Sequence, residues 1–311
     1  MSSNSDREDL LLKFNRAADI APAVLPLHRP AIDARVALWL RRLFYFRGRY
    51  VRHSLAKLGL TWGDGVQATT FWSRKLTLPL ADFDSQYLYW LGFLPLPEEL
   101  RLTRFLIKNL RPNDVFYDVG ASYGINTWLA QELAPHGEVH VFEPSPEVFP
   151  FLRSNAGSDP QLYLNALALS NRQGSVAFYQ QTAHHSGVST LIEEVAAAHS
   201  AQFRKTEVPA VTLDQYLEGH SLPTTIKLDV EGAECAVIEG GARFLARASP
   251  TIALEIWPGE LGQRFSRPAV EALGALGYQA QRILSDGTTA PLDQIFPCAD
   301  GDNLIFTRRP P

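Results

Sequence analysis

The 311 residues are 46% apolar and 20% charged, which suits one large α/β domain with an appendage, or two domains, and excludes a disordered chain. A net charge of −4 argues against general nucleic-acid binding, and no run of about 20 apolar residues suggests a transmembrane span. Cys235 and Cys298 form no CxxC pair or disulfide framework, and the polar start MSSNSDREDLL is unlike a signal peptide, so a reducing, cytoplasmic setting is expected.

In chain order, Leu10, Leu11, Phe14 and Ala18 fall at helical spacing between Asp9 and Asp19. Prolines 22, 26 and 30 interrupt, and helical periods resume from Ala31 to Leu60. Arg41, Arg42, Arg47, Arg49, Arg52 and His53 make that stretch basic. A solvated helix face is the first expectation for it, with an anionic substrate, a lipid surface or a partner as alternative uses. Val66 to Phe71 and Leu76 to Leu80 read as short strands around a polar turn. Tyr87, Tyr89, Trp90, Leu91 and Phe93 form an aromatic cluster, either a joint between appendage and core or the roof of a cleft. Pro97, Glu98 and Glu99 suit the first turn of a helix running to Asn109, because proline needs no N–H partner there and acids favour the positive helix end. Residues 1–97 are thus expected to form a mainly helical N-terminal region with short strands, a substrate lid or interface, and 98–311 the main domain.

The main domain alternates. Strands are expected at Val115–Val119, Glu138–Phe142, Gln161–Asn165, Ser175–Tyr179, Thr206–Val211, Thr225–Val230, Thr251–Ile256, Tyr278–Leu284 and Asn303–Thr307. Helices are expected at Ile125–Leu133, Pro146–Asn155, Ile192–Ala201, Leu213–Leu217, Glu234–Ala246 and Arg267–Leu276. Such alternation implies a mostly parallel sheet with helices on both faces.

The stretch VFYDVGASYG, Val115 to Gly124, is a strand, a glycine-bearing turn and a helix start, the unit that receives a nucleoside-like cofactor at the carboxyl edge of a parallel sheet. Glu143 ends the next strand, 25 residues beyond Asp118, where a carboxylate matches a ribose diol and repels a 2′-phosphate. Asp118 is expected to orient water and turn donors nearby. A second acidic group follows in KLDVEGAE, with Asp229, Glu231 and Glu234, and Glu255 repeats the arrangement on the next strand in ALEIWP. These acids are candidates to orient substrates, to deprotonate a hydroxyl, or to bind a divalent cation such as Mg2+, with Asp229, Glu231 and Glu255 as its ligands. Helix capping is the competing role for the glutamates. His184 and His185 precede SGVSTL on a loop and are candidate bases. No zinc pattern or GxSxG is present.

The series FYDVGASYGINT, VFEPSP, LNALALSN, HSGVSTL, VTLDQYL, KLDVEGAE and LEIWP resembles the FkbM family of S-adenosylmethionine-dependent methyltransferases, over about Leu110 to Pro258 and more loosely to Phe306. The resemblance implies a class I methyltransferase Rossmann-like sheet, mostly parallel with an antiparallel C-terminal strand, and O-methylation of a sugar or natural product hydroxyl. It implies that Asp118, Gly120, Ala121 and Gly124 surround the methionine part of S-adenosyl-L-methionine, with Ser122 among the cofactor-binding residues. Related proteins usually place asparagine where this chain has Ser122. Glu143 would hold the ribose, with Pro144 and Ser145 at its border and Asn165, Ala166 and Leu167 near the adenine. Asp229, Glu231, Glu234 and Glu255 would line the acidic cleft, with Asp229 also touching the cofactor.

The expected activity is therefore O-methyl transfer to a hydroxyl-bearing small molecule or glycan, with His185 or Asp229 taking the proton. A homodimer is the expected assembly. An NAD-dependent oxidoreductase is the competing enzyme, weakened because VGASYG lacks the GxGxxG spacing. A cofactor-binding scaffold without turnover is the competing non-enzyme.

Overall fold

A computed structural model describes residues 4–24, 65–79, 83–181, 188–199, 202–292, 294–298 and 301–308. The basic segment expected to be helical between Ala31 and Leu60 lies outside the described residues, as do His184 and His185. The chain divides into two compact units, Asn4–Leu96 and Pro97–Pro311. No helix among the described residues is long and apolar enough to cross a membrane.

In the first unit, a helix at Asn4–Val24 buries Leu10, Phe14, Ala18 and Ala21, one stripe at helical period. Strands β1 (Val66–Thr69) and β2 (Lys75–Leu78) form an antiparallel hairpin. The aromatic run is a helix, Phe83–Leu91, and Tyr89, Trp90 and Phe93 are buried. Phe14 meets Phe71 at 4.8 Å and Phe93 at 5.4 Å, an aromatic cluster built from three segments.

The second unit opens with the helix Pro97–Asn109, proline leading and Glu98 and Glu99 in its first turn. Strands β3 (Val115–Val119), β4 (Glu138–Phe142) and β5 (Leu162–Asn165) follow, then β6 (Ala168–Leu169), β7 (Gly174–Gln181) and β8 (Phe203–Val211). After them come β9 (Thr225–Leu228), β10 (Thr251–Ile256), β11 (Gln279–Ile283), β12 (Thr289–Pro291) and β13 (Asp302–Thr307). Eight of these make one sheet in the order β12-β11-β13-β10-β9-β3-β4-β5. The five strands from β10 to β5 run parallel, and β13 is antiparallel to both β10 and β11. This is the class I methyltransferase arrangement, a mostly parallel sheet with an antiparallel C-terminal strand. The central strands are apolar on both faces because helices cover both, with Phe116, Tyr117, Val119, Ile226 and Leu228 all buried.

The strand order reverses at β3: the chain runs outward through β4 and β5, then returns to lay β9 on the other side of β3. Such a reversal opens a crevice at the carboxyl ends of the two strands. Between β5 and β9, strands β6, β7 and β8 form a separate three-stranded sheet. The helix expected over 234–246 is two helices, Glu234–Gly240 and Ala242–Ala248. The break falls where the small sheet presses in, since a Cβ on Gly240 would lie 2.1 Å from the Ser170 carbonyl oxygen.

Candidate active site

The crevice between β3 and β9 collects most of the predicted residues. Asp118, the fourth residue of β3, is fully buried, and its Oδ2 accepts from the Thr127 hydroxyl at 2.5 Å. Its Oδ1 is buried with no partner. Burial pushes this carboxyl above its ordinary range, opposed by Lys227 and by the Thr127 hydrogen bonds. The turn after β3 then doubles back, and the N–H groups of Gly120 and Ala121 both donate to the Phe142 carbonyl, tying it to the end of β4.

Glu143 follows β4 directly. Its Oε2 accepts the Ser122 N–H and its Oε1 the Ser145 N–H, each at 2.8 Å. Ser122 adopts φ 48°, which aims its N–H at that carboxylate, and its hydroxyl is buried without a partner. Burial raises Glu143 to about 7 despite the two backbone donors. Each carboxylate oxygen keeps a lone pair, so Glu143 can take two further hydroxyl donors. Pro144 is half-buried and Ser145 buried beside it. Asn165 donates its amide to the Val141 and Tyr163 carbonyls at 3.1 Å and to the Tyr216 hydroxyl at 3.0 Å, so this side chain braces β4 and β5. Ala166 is exposed and Leu167 half-buried just beyond it.

Across the crevice stand the acids of the second group. Asp229 follows β9 and pairs with Lys227 at 2.8 Å. Carboxyl oxygens of Asp229, Glu231 and Glu255 lie within 4.8 Å of one another. Burial and the neighbouring Asp229, Glu231 and Glu234 carboxylates push Glu255 well above the usual range. Its Oε2 accepts from the Trp257 indole at 2.9 Å. Glu234 has a different task. Its Oε1 accepts the N–H groups of Val230 and Gly232 at 3.0 and 3.1 Å, closing the turn before its own helix, and burial raises it to about 7.

Three participants carried no expected role in the site. Lys227 is 5% exposed and sits among carboxylates; burial disfavours its charge, but Asp229, Asp118 and Glu99 outweigh that and hold it above its ordinary range. Glu99, on the first helix of this unit, accepts from Asn303 at 3.0 Å, and burial raises its carboxyl. Trp257 joins the acidic group through its indole. Lys227 stands inside the KLDVEGAE stretch, and a lysine in an otherwise apolar strand was the available signal.

The donor set fits a cationic, ribose-bearing cofactor: a buried carboxylate oxygen with no partner at Asp118, and at Glu143 a fixed carboxylate with spare acceptor capacity. A family model, the methyltransferase FkbM domain, matches residues 118–279. The chain is 25% identical over 145 residues to the hexuronic acid methyltransferase AglP of Haloferax volcanii, covering 46% of this chain and 56% of that one. It is 26% identical over 161 residues to the 2-O-methyltransferase NoeI of Sinorhizobium fredii, covering 48% and 66%. The chain thus spans less than two thirds of either relative's length. Among solved structures, a methyltransferase FkbM from Methylobacillus flagellatus is similar with a TM-score of 0.41 and 14% identity, over 73% of this chain and 48% of that one.

Proposed function

The chain belongs to the FkbM methyltransferase family, and we propose that it is an S-adenosylmethionine-dependent O-methyltransferase acting on a hydroxyl of a sugar or natural product. One observation carries the reading. The strand reversal brings two sets of acids to the carboxyl ends of adjoining strands, Asp118 and Glu143 at β3 and β4, Asp229 and Glu255 at β9 and β10, which supports a cofactor cradle beside an acceptor-binding group. The family likeness and the two sugar-directed or O-directed relatives support the same substrate class.

When bound, S-adenosylmethionine would supply an electrophilic methyl group. The residues of this chain do the rest. Glu143 accepts the ribose hydroxyls, with Ser122 and Ser145 holding its carboxylate in place. Asp118 offers its unpartnered oxygen to the ammonium of the methionine part. Asn165 fixes the edge where Ala166 and Leu167 border the adenine. On the acceptor side, Asp229 or His185 takes the hydroxyl proton, and Glu255, whose carboxyl burial and the neighbouring acids push well above its ordinary range, orients the acceptor beside Asp229. Holding donor and acceptor at fixed distance supplies much of the rate. The step uses no divalent cation, because Lys227 already supplies positive charge beside Asp229 and Trp257 a donor to Glu255.

The test is incubation with methyl-labelled S-adenosylmethionine and a panel of hydroxylated sugars and natural products. The expected product carries the label on oxygen; label on nitrogen or carbon of the true acceptor overturns the assignment.

A further inference from the structure

A cavity of about 410 Å³ lies beside the turn that follows Asp229, between the three-stranded sheet and the helix Glu234–Gly240. The volume is in the range of small-molecule sites, ~300–1,000 Å³. Two strings of contacts join it to the acidic group. Trp257, bonded to Glu255, meets Phe265 of the cavity wall at 6.2 Å, edge to face. Thr190 donates its hydroxyl to the Glu231 carbonyl at 2.6 Å, and its neighbour Leu191 lines the cavity. Phe265 sits in a π-helical turn, Gly262–Ser266, an irregularity that recurs at functional sites.

The lining has the chemistry of a sugar site. Phe265 is half-buried in the wall, with the Arg264 guanidinium 5.6 Å from its ring centroid, and supplies the aromatic part of the lining. Asn171 donates to Glu239 at 2.8 Å, an exposed amide and carboxylate paired on the lining. Arg172 is exposed on the rim and has no partner among the described residues. Arg264, by contrast, pairs with Glu194. A pyranose has an apolar C–H face for the ring and vicinal hydroxyls for the amide and carboxylate, and a uronate carboxylate fits the open guanidinium fork.

We propose that this cavity is a carbohydrate subsite, which holds an acidic sugar unit of the acceptor adjoining the ring that is methylated. The proposal rests on the O-methyltransferase reading for its orientation toward Asp229, but the binding itself is measured separately. The intact chain, saturated with S-adenosylhomocysteine, is titrated calorimetrically with tri-galacturonate, a hyaluronan tetrasaccharide and a heparosan tetrasaccharide, with maltotriose as the neutral control. At least one uronate oligosaccharide binds more tightly than maltotriose, and Arg172→Ala weakens it about tenfold or more. Phe265→Ala weakens acidic and neutral sugars alike, while S-adenosylhomocysteine affinity is unchanged in both variants. Absence of binding by every uronate oligosaccharide, or binding indifferent to both substitutions, overturns the subsite. Binding sensitive to Arg172→Ala, without methyl transfer to any hydroxyl, keeps the subsite and removes the O-methyltransferase reading. Methyl transfer to hydroxyls that ignores both substitutions does the reverse.

Discussion

A Cβ on Gly120 would lie 1.7 Å from the carbonyl oxygen of Asp229. The cofactor-side turn and the acidic turn therefore touch backbone to backbone, and the width of the crevice is set at this contact. Gly120 also sits at φ 82°, which side chains rarely adopt. Gly120→Ala is expected to cost more than about 3 kcal/mol and to abolish cofactor binding, because both strain and overlap must be relieved by moving one turn. Gly219→Ala, at a position with open space around it, is the control and stays within about 0.5 kcal/mol. Urea unfolding curves and cofactor titration read both. A folded Gly120→Ala protein with ordinary affinity would mean that the turns can part without consequence.

The residues around that contact explain what was legible in the chain. Val115–Val119, Ile125–Leu133, Glu138–Phe142 and Thr251–Ile256 occur at the expected bounds, because apolar runs between loop residues and glycines mark their ends locally. The helix Phe83–Leu91 was hidden, since a run of aromatics has no clear polar face to reveal its period. The short β12 and the split at Gly240 depend on neighbours distant in sequence. The same holds for β6, β7 and β8: their strand character was partly legible, but not that they pair only with each other. Within the site, Asp118, Glu143 and Asp229 were visible as acids at strand ends. Glu99 was not, because only the tertiary fold brings the first helix of this unit to Lys227.

Glu143 gives the cofactor affinity a pH dependence. Burial holds its carboxyl at about 7 against an ordinary 4.5. Ribose hydroxyls donate to the ionised form, so affinity falls as pH drops through about 7, approaching tenfold per unit below it. Ligand-free stability runs the other way. The folded carboxyl binds its proton more tightly than the unfolded one, so this group's contribution is fully present below about 4.5 and is lost as pH rises through about 7. Titration with S-adenosylhomocysteine between pH 6 and 8 is expected to show the fall, and Glu143→Gln to bind weakly with a flat profile. A flat wild-type profile would remove the ribose role.

Lys227 neutralises a cluster that is otherwise wholly acidic. Lys227→Met leaves Asp118, Asp229 and Glu99 without their shared cation, and a loss of about 3–5 kcal/mol in unfolding free energy is expected. Combining it with Asp229→Asn should cost less than the sum of the two single changes, with a coupling of about 0.5–3 kcal/mol. Additive losses would show that the 2.8 Å ion pair contributes nothing of its own.

The cation question has a direct readout. Turnover is expected to be unchanged by a chelator and by added Mg2+, since the ammonium of Lys227 already pairs with Asp229, one of the three acids that a metal would bridge. A tenfold or greater loss on chelation, restored by Mg2+, would reassign Asp229, Glu231 and Glu255 as metal ligands.

Asp118 separates charge from shape. Asn has the same outline and can still accept from Thr127, so the hydrogen bond at 2.5 Å keeps an acceptor. The substitution also removes a buried charge whose desolvation raises the carboxyl, so unfolding free energy should change by no more than about 1 kcal/mol. The cofactor meets a different situation. Its ammonium would lose the anionic oxygen that has no partner within the chain and face an amide N–H instead. Removing a charged hydrogen-bond partner and leaving two donors opposed costs about 1.5–3 kcal/mol, which is a tenfold to hundredfold loss of affinity. Asp118→Asn is therefore expected to fold normally and to bind S-adenosylmethionine at least tenfold more weakly, with acceptor affinity little changed. Equal loss of stability and of affinity would make Asp118 a framework residue, and unchanged affinity would place the ammonium elsewhere in the crevice.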